Sequence, residues 1–186
     1  MKRMIAMLSI LLLLLSGCGD GENTMDQALW LRSQLSNAGC SFEAVITADY
    51  GDVLYTFKLD CRSAQNGDLV FCVLEPETIA GIRGKVEASG GKLTFDDVAI
   101  ALPLLADDQL APIAAPWALV RTLRGGYIDS TGADGEYTRL TIHDSYAEDA
   151  LTVDIWLNAE NMPVHAEIEW EDRRILSMEI KNFAVG

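Results

Sequence analysis

The sequence predicts a mainly β protein of the α+β class: an antiparallel sheet that curls around helices. Three observations carry this expectation. Short runs of alternating apolar and polar residues recur with turn residues between them, as in Val164–Trp170 and Arg174–Phe183. Strand side chains alternate between faces with a period of two, so each run offers one apolar face. A helix opens the fold at about 25–38, and a second, from Pro116 to Leu123, interrupts the strands at mid-chain. An apolar sheet face must be covered, and two helices of this length suit a sheet that curls over them better than one that closes on itself.

Taken in order, the chain begins outside the fold. Met1-Lys2-Arg3 is positive, Met4 to Leu15 is apolar apart from Ser9, and Leu15-Ser16-Gly17-Cys18 follows. A charged start and an apolar run of 12 residues suit a secretory signal and are too short for a permanent span. Small residues before a cysteine at that place match the bacterial lipobox, which makes Cys18 the expected lipidation site. The expected layout is a signal peptide over 1–17, a lipidated tether over 18–23 and one domain over 24–186. Two acyl chains anchor firmly where one binds reversibly, so the expected location is the extracytoplasmic side of the cell membrane.

Without the leader, 12 basic residues face 28 acidic ones, a formal charge of −16. Such a surface is repelled by nucleic acid and by anionic headgroups. It favours solubility, or a partner with a basic patch.

Thr24 is placed to cap the first helix and Gly39 to end it, with Met25, Leu29, Arg32 and Leu35 on one side. The first hairpin runs from Cys40 to Cys61 around Asp49-Tyr50-Gly51-Asp52. Facing Ala48 with Val53 sets Ile46 against Tyr55, Ala44 against Phe57, Phe42 against Leu59 and Cys40 against Cys61. Cys40–Cys61 is thus the favoured disulfide; Cys61–Cys72 competes with it, and three reduced, buried thiols are the third possibility. Strands are expected at 69–74, 83–88, 92–95 and 98–105. The stretch 106–126 lacks strand character, with Pro116 starting its helix, Arg121 and Arg124 near the end and Gly125-Gly126 stopping it. Strands then follow at 126–130, 136–143 after a turn at Gly132-Ala133-Asp134-Gly135, 151–157, 164–170 and 174–183.

This element order, with the corner at Leu74-Glu75-Pro76, the mid-chain helix, Met162-Pro163 to Glu169 and Ile180 to Phe183, resembles the LolA/LolB-like lipoprotein superfamily. The resemblance covers 24–184 and is nearest the lipobox-bearing members of Firmicutes related to the germination lipoprotein GerS. It implies a LolA-like half-barrel with a helical lid, and a concave face that takes a lipid or a lipoprotein acyl chain. LolA itself is soluble and latches its lid with an arginine, for which Arg121 and Arg124 are candidates by position. GerS-like members act through protein partners, which implies instead an envelope adaptor that stabilises or positions a cell-wall enzyme.

Catalytic signatures are absent from the sequence. There is no G-x-S-x-G, and His143-Asp144-Ser145 are strand neighbours whose side chains point to opposite faces. His165, among glutamates on a polar face, reads as a solvated residue. Asp144, Glu148, Asp149 and Asp154 form an acidic run without the spacing or glycine of a calcium loop, so a solvated edge is expected there. No catalytic residue, metal ligand or cofactor is therefore assigned. The expected site is apolar: Trp117, Leu119, Val120 and Leu123 on the lid helix, with Tyr55, Phe57, Phe71 and Trp170 from strands. A large apolar pocket with few polar groups is what an acyl chain needs.

Overall fold

The computed structural model describes residues 20–49, 54–88, 90–95, 98–102, 105–106, 109–147, 150–171 and 173–186. The expected signal segment and Cys18 lie outside the described residues. Helix α1 spans Asp20–Asn37. The strands are β1 (Cys40–Asp49), β2 (Leu54–Ser63), β3 (Leu69–Glu75), β4 (Arg83–Glu87), β5 (Gly90–Phe95) and β6 (Val98–Leu102). A two-stranded ribbon follows, β7 (Leu105–Ala106) with β8 (Gln109–Leu110), and then helix α2 (Ala115–Gly125). The chain returns through β9 (Tyr127–Asp134), β10 (Tyr137–His143), β11 (Thr152–Leu157), β12 (Pro163–Trp170) and β13 (Arg173–Val185).

Eleven strands form one sheet in the order β6-β5-β4-β3-β2-β1-β13-β12-β11-β10-β9, every neighbouring pair antiparallel. All pairings but one are between consecutive strands. The exception is β1 with β13, which joins the first half of the sheet to the second. The order is linear and the sheet does not close. This is the half-barrel.

Burial follows the period of two. In β1, Cys40, Phe42, Ala44, Ile46 and Ala48 are buried, and the residues between them are half-buried. Leu59, Cys61, Leu69, Phe71, Val73, Leu140, Ile142, Val153, Ile155, Leu157, Ala166, Ile168, Leu176, Met178 and Ile180 extend the same inner face. The helices complete it. Ala28, Leu31 and Leu35 come from α1, and Ala115, Trp117, Ala118, Leu119, Val120 and Leu123 from α2. A continuous core of this kind is the main favourable term in folding, at about 25 cal/mol per Å² of apolar area buried.

Several expectations are corrected. Residues Asp20–Asn23, read as tether, form the first turn of α1. Thr24, read as its cap, is buried inside the helix and hydrogen-bonds Thr131 Oγ1 at 2.9 Å. Leu29 is 48% exposed, because α1 packs with the Thr24-Ala28-Leu31-Leu35 stripe inward. Gly132 to Asp134 continue β9, and the turn comes at Gly135-Glu136, where Gly135 has φ +62°. A glycine takes that conformation without the steric cost a side chain would add.

The β1–β2 register is displaced by two residues, with Ala48 opposite Tyr55 and Asp49 opposite Leu54. A two-residue slip keeps every side chain on its face, so the inner and outer sets are as expected. It nevertheless sets Cys40 opposite Ser63 and Phe42 opposite Cys61. The expected Cys40–Cys61 disulfide is not formed; both thiols are free. The competing Cys61–Cys72 pair fails for another reason. Phe71 faces Cys61 on the inner side, while Cys72 pairs with Asp60 on the outer face.

Candidate functional site

The concave face is covered by two helices that hold each other. Arg32, in the middle of α1, donates from Nε to the carbonyl of Leu123 at 2.9 Å and from Nη2 to that of Gly126 at 2.8 Å. Arg124, in the last turn of α2, donates from Nε to the carbonyl of Leu35 at 2.9 Å and from Nη2 to that of Ala38 at 3.2 Å. Each arginine therefore caps the other helix. The final carbonyls of a helix lack internal partners and carry its negative dipole end, so a guanidinium is well matched to both needs. Arg124 also donates from Nη1 to Ser63 Oγ at 3.3 Å, tying the helix pair to the end of β2. Burial lowers the Arg32 guanidinium below its ordinary value, since the charged form loses water.

Of the two arginines considered from position, Arg124 makes this contact and Arg121 does not. Arg121 is exposed, with its guanidinium carbon 5.2 Å from the centre of the Trp117 ring. Arg32 was assigned to a helix face in the sequence, and nothing local signals its role. It caps a segment 91 residues away.

The α2 residues named from the sequence are buried. Leu119 and Val120 are sealed in the core, Leu123 is 2% exposed and Trp117 is 6% exposed. Phe71 joins them from β3. The other three sit at the rim. Trp170 ends β12 and Phe57 lies in β2, both partly buried against the core, while Tyr55 is 48% exposed and stacks on Phe57 with centroids 6.4 Å apart. The registers of β1 with β2, and of β1 through β13 with β12, place Tyr55 and Trp170 at the same end of the sheet. The eight residues thus divide into a buried lid-and-wall set and an aromatic rim.

Gly126 lets the lid meet the wall. A Cβ there would lie 2.7 Å from the carbonyl oxygen of His143 and 2.7 Å from Ile142 Cγ2. The sequence shows it only as a helix stop.

The thiols are inert in this setting. Burial pushes the Cys40 thiol up to about 11, partly offset by Arg124 and a backbone hydrogen bond from Ser63, and raises Cys61 further.

The outer face holds a polar network that the sequence conceals. Asp154, expected at a solvated edge, is 2% exposed. It accepts hydrogen bonds from Arg139 Nη2 and Thr141 Oγ1, both at 2.6 Å. Arg139 lies over the Trp156 ring, whose Nε1 donates to Asp134 at 2.7 Å. His165, expected to be solvated, meets the Trp156 ring edge-on and lies 2.8 Å from Glu179 Oε1. Cross-strand register builds this cluster, with Thr141 opposite Asp154, and Trp156 between Arg139 and His165. Glu148 and Asp149 of the acidic run lie outside the described residues. Among the described residues no group of three His, Cys, Asp or Glu side chains is placed to hold a metal ion.

No family model and no curated protein matches this chain. Solved structures do. A LolA superfamily protein from Nitrosomonas europaea aligns over 86% of this chain and 93% of its own, with 8% identity and a TM-score of 0.45. A putative outer membrane lipoprotein-sorting protein domain from Vibrio parahaemolyticus aligns over 89% and 92%, with 8% identity and a TM-score of 0.45. The Mycobacterium tuberculosis lipoprotein LppX aligns over 87% and 93%, with 12% identity and a TM-score of 0.41. At such values the likeness is one of general layout and is silent about ligand and partner.

Proposed function

We propose that this chain is a membrane-anchored bacterial lipoprotein whose concave face binds a hydrophobic ligand, a lipid or a lipoprotein acyl chain, without catalysis. The supporting observation is the lid. Helix α2 presents a buried apolar face to the sheet, yet it is fastened to α1 and β2 by the hydrogen bonds of Arg32 and Arg124. A helix held by a few hydrogen bonds over an apolar trough can be lifted, and an acyl chain entering beneath it recovers the same kind of burial. The aromatic rim of Tyr55, Phe57 and Trp170 marks an entrance at one end of the sheet.

The anchor is carried by Leu15-Ser16-Gly17-Cys18. Cys18→Ala should move the protein from the membrane fraction to the soluble one. Native mass spectrometry of protein extracted from membranes should show a co-purifying lipid in the wild type and less of it in Leu123→Asp. A lipid-free protein that also fails to take up a fluorescent fatty acid after Arg32→Ala and Arg124→Ala would end the ligand reading.

A second reading is favoured by the tight filling of the interior. Leu119, Leu123 and Phe71 are all under 5% exposed, so in the closed form these side chains are packed away and a partner meets the outer surface. Under this reading the chain is an envelope adaptor that stabilises or positions a cell-wall enzyme. It predicts one specific protein in a crosslinked pull-down from membranes, and no lipid.

A further inference from the structure

The convex side of β9–β12 carries an aromatic depression at the sheet edge, away from the lid. Tyr127 on β9 pairs with His143 on β10, and their rings stack with centroids 6.4 Å apart and planes within 10°. Tyr146, in the bend after β10, leans on Tyr127 with centroids 5.4 Å apart and planes at 46°. Tyr127 is 46% exposed and Tyr146 is 89% exposed. Both rings stay open to solvent while they lean on one another. The depression they flank is also lined by Asp129, Thr152 and Glu171, and its volume of about 460 Å³ admits a side chain or small group.

The charges around it are of one sign. Asp129 and Glu171 make no ion pair among the described residues, and no lysine or arginine lines the depression. Glu171 also has φ +49° in the turn between β12 and β13. Among the described residues, the other two in that left-handed region outside glycine are Asn161 and Asn182, the type that tolerates it best. A glutamate there carries a cost to the backbone, and it lines the same depression as the tyrosines.

We infer that this depression takes a cationic side chain, a lysine or arginine on a basic segment of a protein partner. Ring faces attract cations through their quadrupole, and nearby carboxylates add to that attraction. The protein source is favoured over a free ammonium compound by charge complementarity over the whole chain, at −14 overall, which steers a basic macromolecule toward this surface. The inference rests on the protein-partner reading for the identity of its occupant.

The test is titration of the full-length chain in a nonionic detergent with a hexalysine peptide, followed by calorimetry. Hexaglutamate and N-acetyl-lysine amide serve as comparisons. Tyr146→Ala and Glu171→Asn should each weaken hexalysine binding about 10-fold. Glu171→Asn should at the same time raise Tm, because asparagine relieves the left-handed strain while removing the charge. Asp60→Asn on β2 with Glu77→Gln in the turn after β3, both in the other half of the fold, should change affinity by less than about 2-fold. The inference is overturned if those remote changes weaken binding equally, if Tyr146→Ala has no effect, or if lysine amide binds as tightly as the peptide. A partner pull-down that survives Tyr146→Ala after normal peptide results would place the adaptor contact elsewhere, leaving the pocket itself intact.

Discussion

Asp154 shows how a single side chain can be misread from its neighbours. It belongs to an acidic stretch and sits on the outward face of β11, yet Arg139 and Thr141 enclose it and leave it 2% exposed. Removing one partner of a buried ionic hydrogen-bonded pair strands the other. Because Arg139 is 46% exposed at its side chain and can turn to water, the cost falls below that of a fully buried pair. Asp154→Ala should lower unfolding free energy by about 2 kcal/mol, read from a urea midpoint, and Asp154→Asn by less. The cysteines make a second prediction at this scale. In the native mature protein a thiol reagent should modify Cys72 quickly, and Cys40 and Cys61 only on unfolding, because those two are buried and their thiolates disfavoured. Protection of two of the three thiols after denaturation without reductant would instead reveal a disulfide.

At the scale of elements, the fold depends on how α1 and α2 meet. Each has an apolar face, but the angle between them is fixed by two arginines capping carbonyls across the contact. Arg124→Ala should cost about 1–3 kcal/mol, since it leaves the Leu35 and Ala38 carbonyls unpaired. A double-mutant cycle with Arg32→Ala should show coupling, because either loss loosens the same pair of helices. Additive effects would mean that each arginine acts alone. Gly126→Ala should destabilise by about 1–3 kcal/mol, as its methyl group would overlap the His143 carbonyl and force α2 off β10. This effect should appear although the Gly126 φ of −67° is open to any residue.

For the molecule as a whole, the excess of acidic groups makes stability depend on the few that find a cation. Lys58 holds Glu43 below the usual carboxylate range, chiefly by a hydrogen bond, and Lys85 does the same for Asp68. A carboxyl group whose pKa is lowered by folding contributes stability that is complete above its ordinary range and lost as pH falls through the lowered value. Lys85 works in the other direction. The Asp68 and Glu87 carboxylates raise it to about 12, so its contribution is whole below its ordinary 10.5 and fades as pH rises through the native value. The urea midpoint should therefore decline on acidification below the ordinary carboxylate range, and less steeply in a Lys58→Met, Lys85→Met variant. These pairs are exposed, so moderate salt should blunt the difference.

Local chemistry in the sequence determined the strand faces, the two helices and the apolar character of α2, while the half-barrel followed from the family resemblance. Each of the first three rests on a short-range rule: a period of two, a proline before a helix, a glycine after it. The burial of Trp117, Leu119, Val120 and Leu123 on α2 was legible for the same reason. What the tertiary structure decided was pairing. It set the β1–β2 register two residues from the expected one, separated Cys40 from Cys61, and brought Arg32 to Gly126 and Arg124 to Ala38. A two-residue slip leaves both faces unchanged, so the alternation of apolar residues holds no information about it. Contacts between segments some 90 residues apart have no local signature at all. They arise only when the sheet curves far enough for one helix to span its two walls.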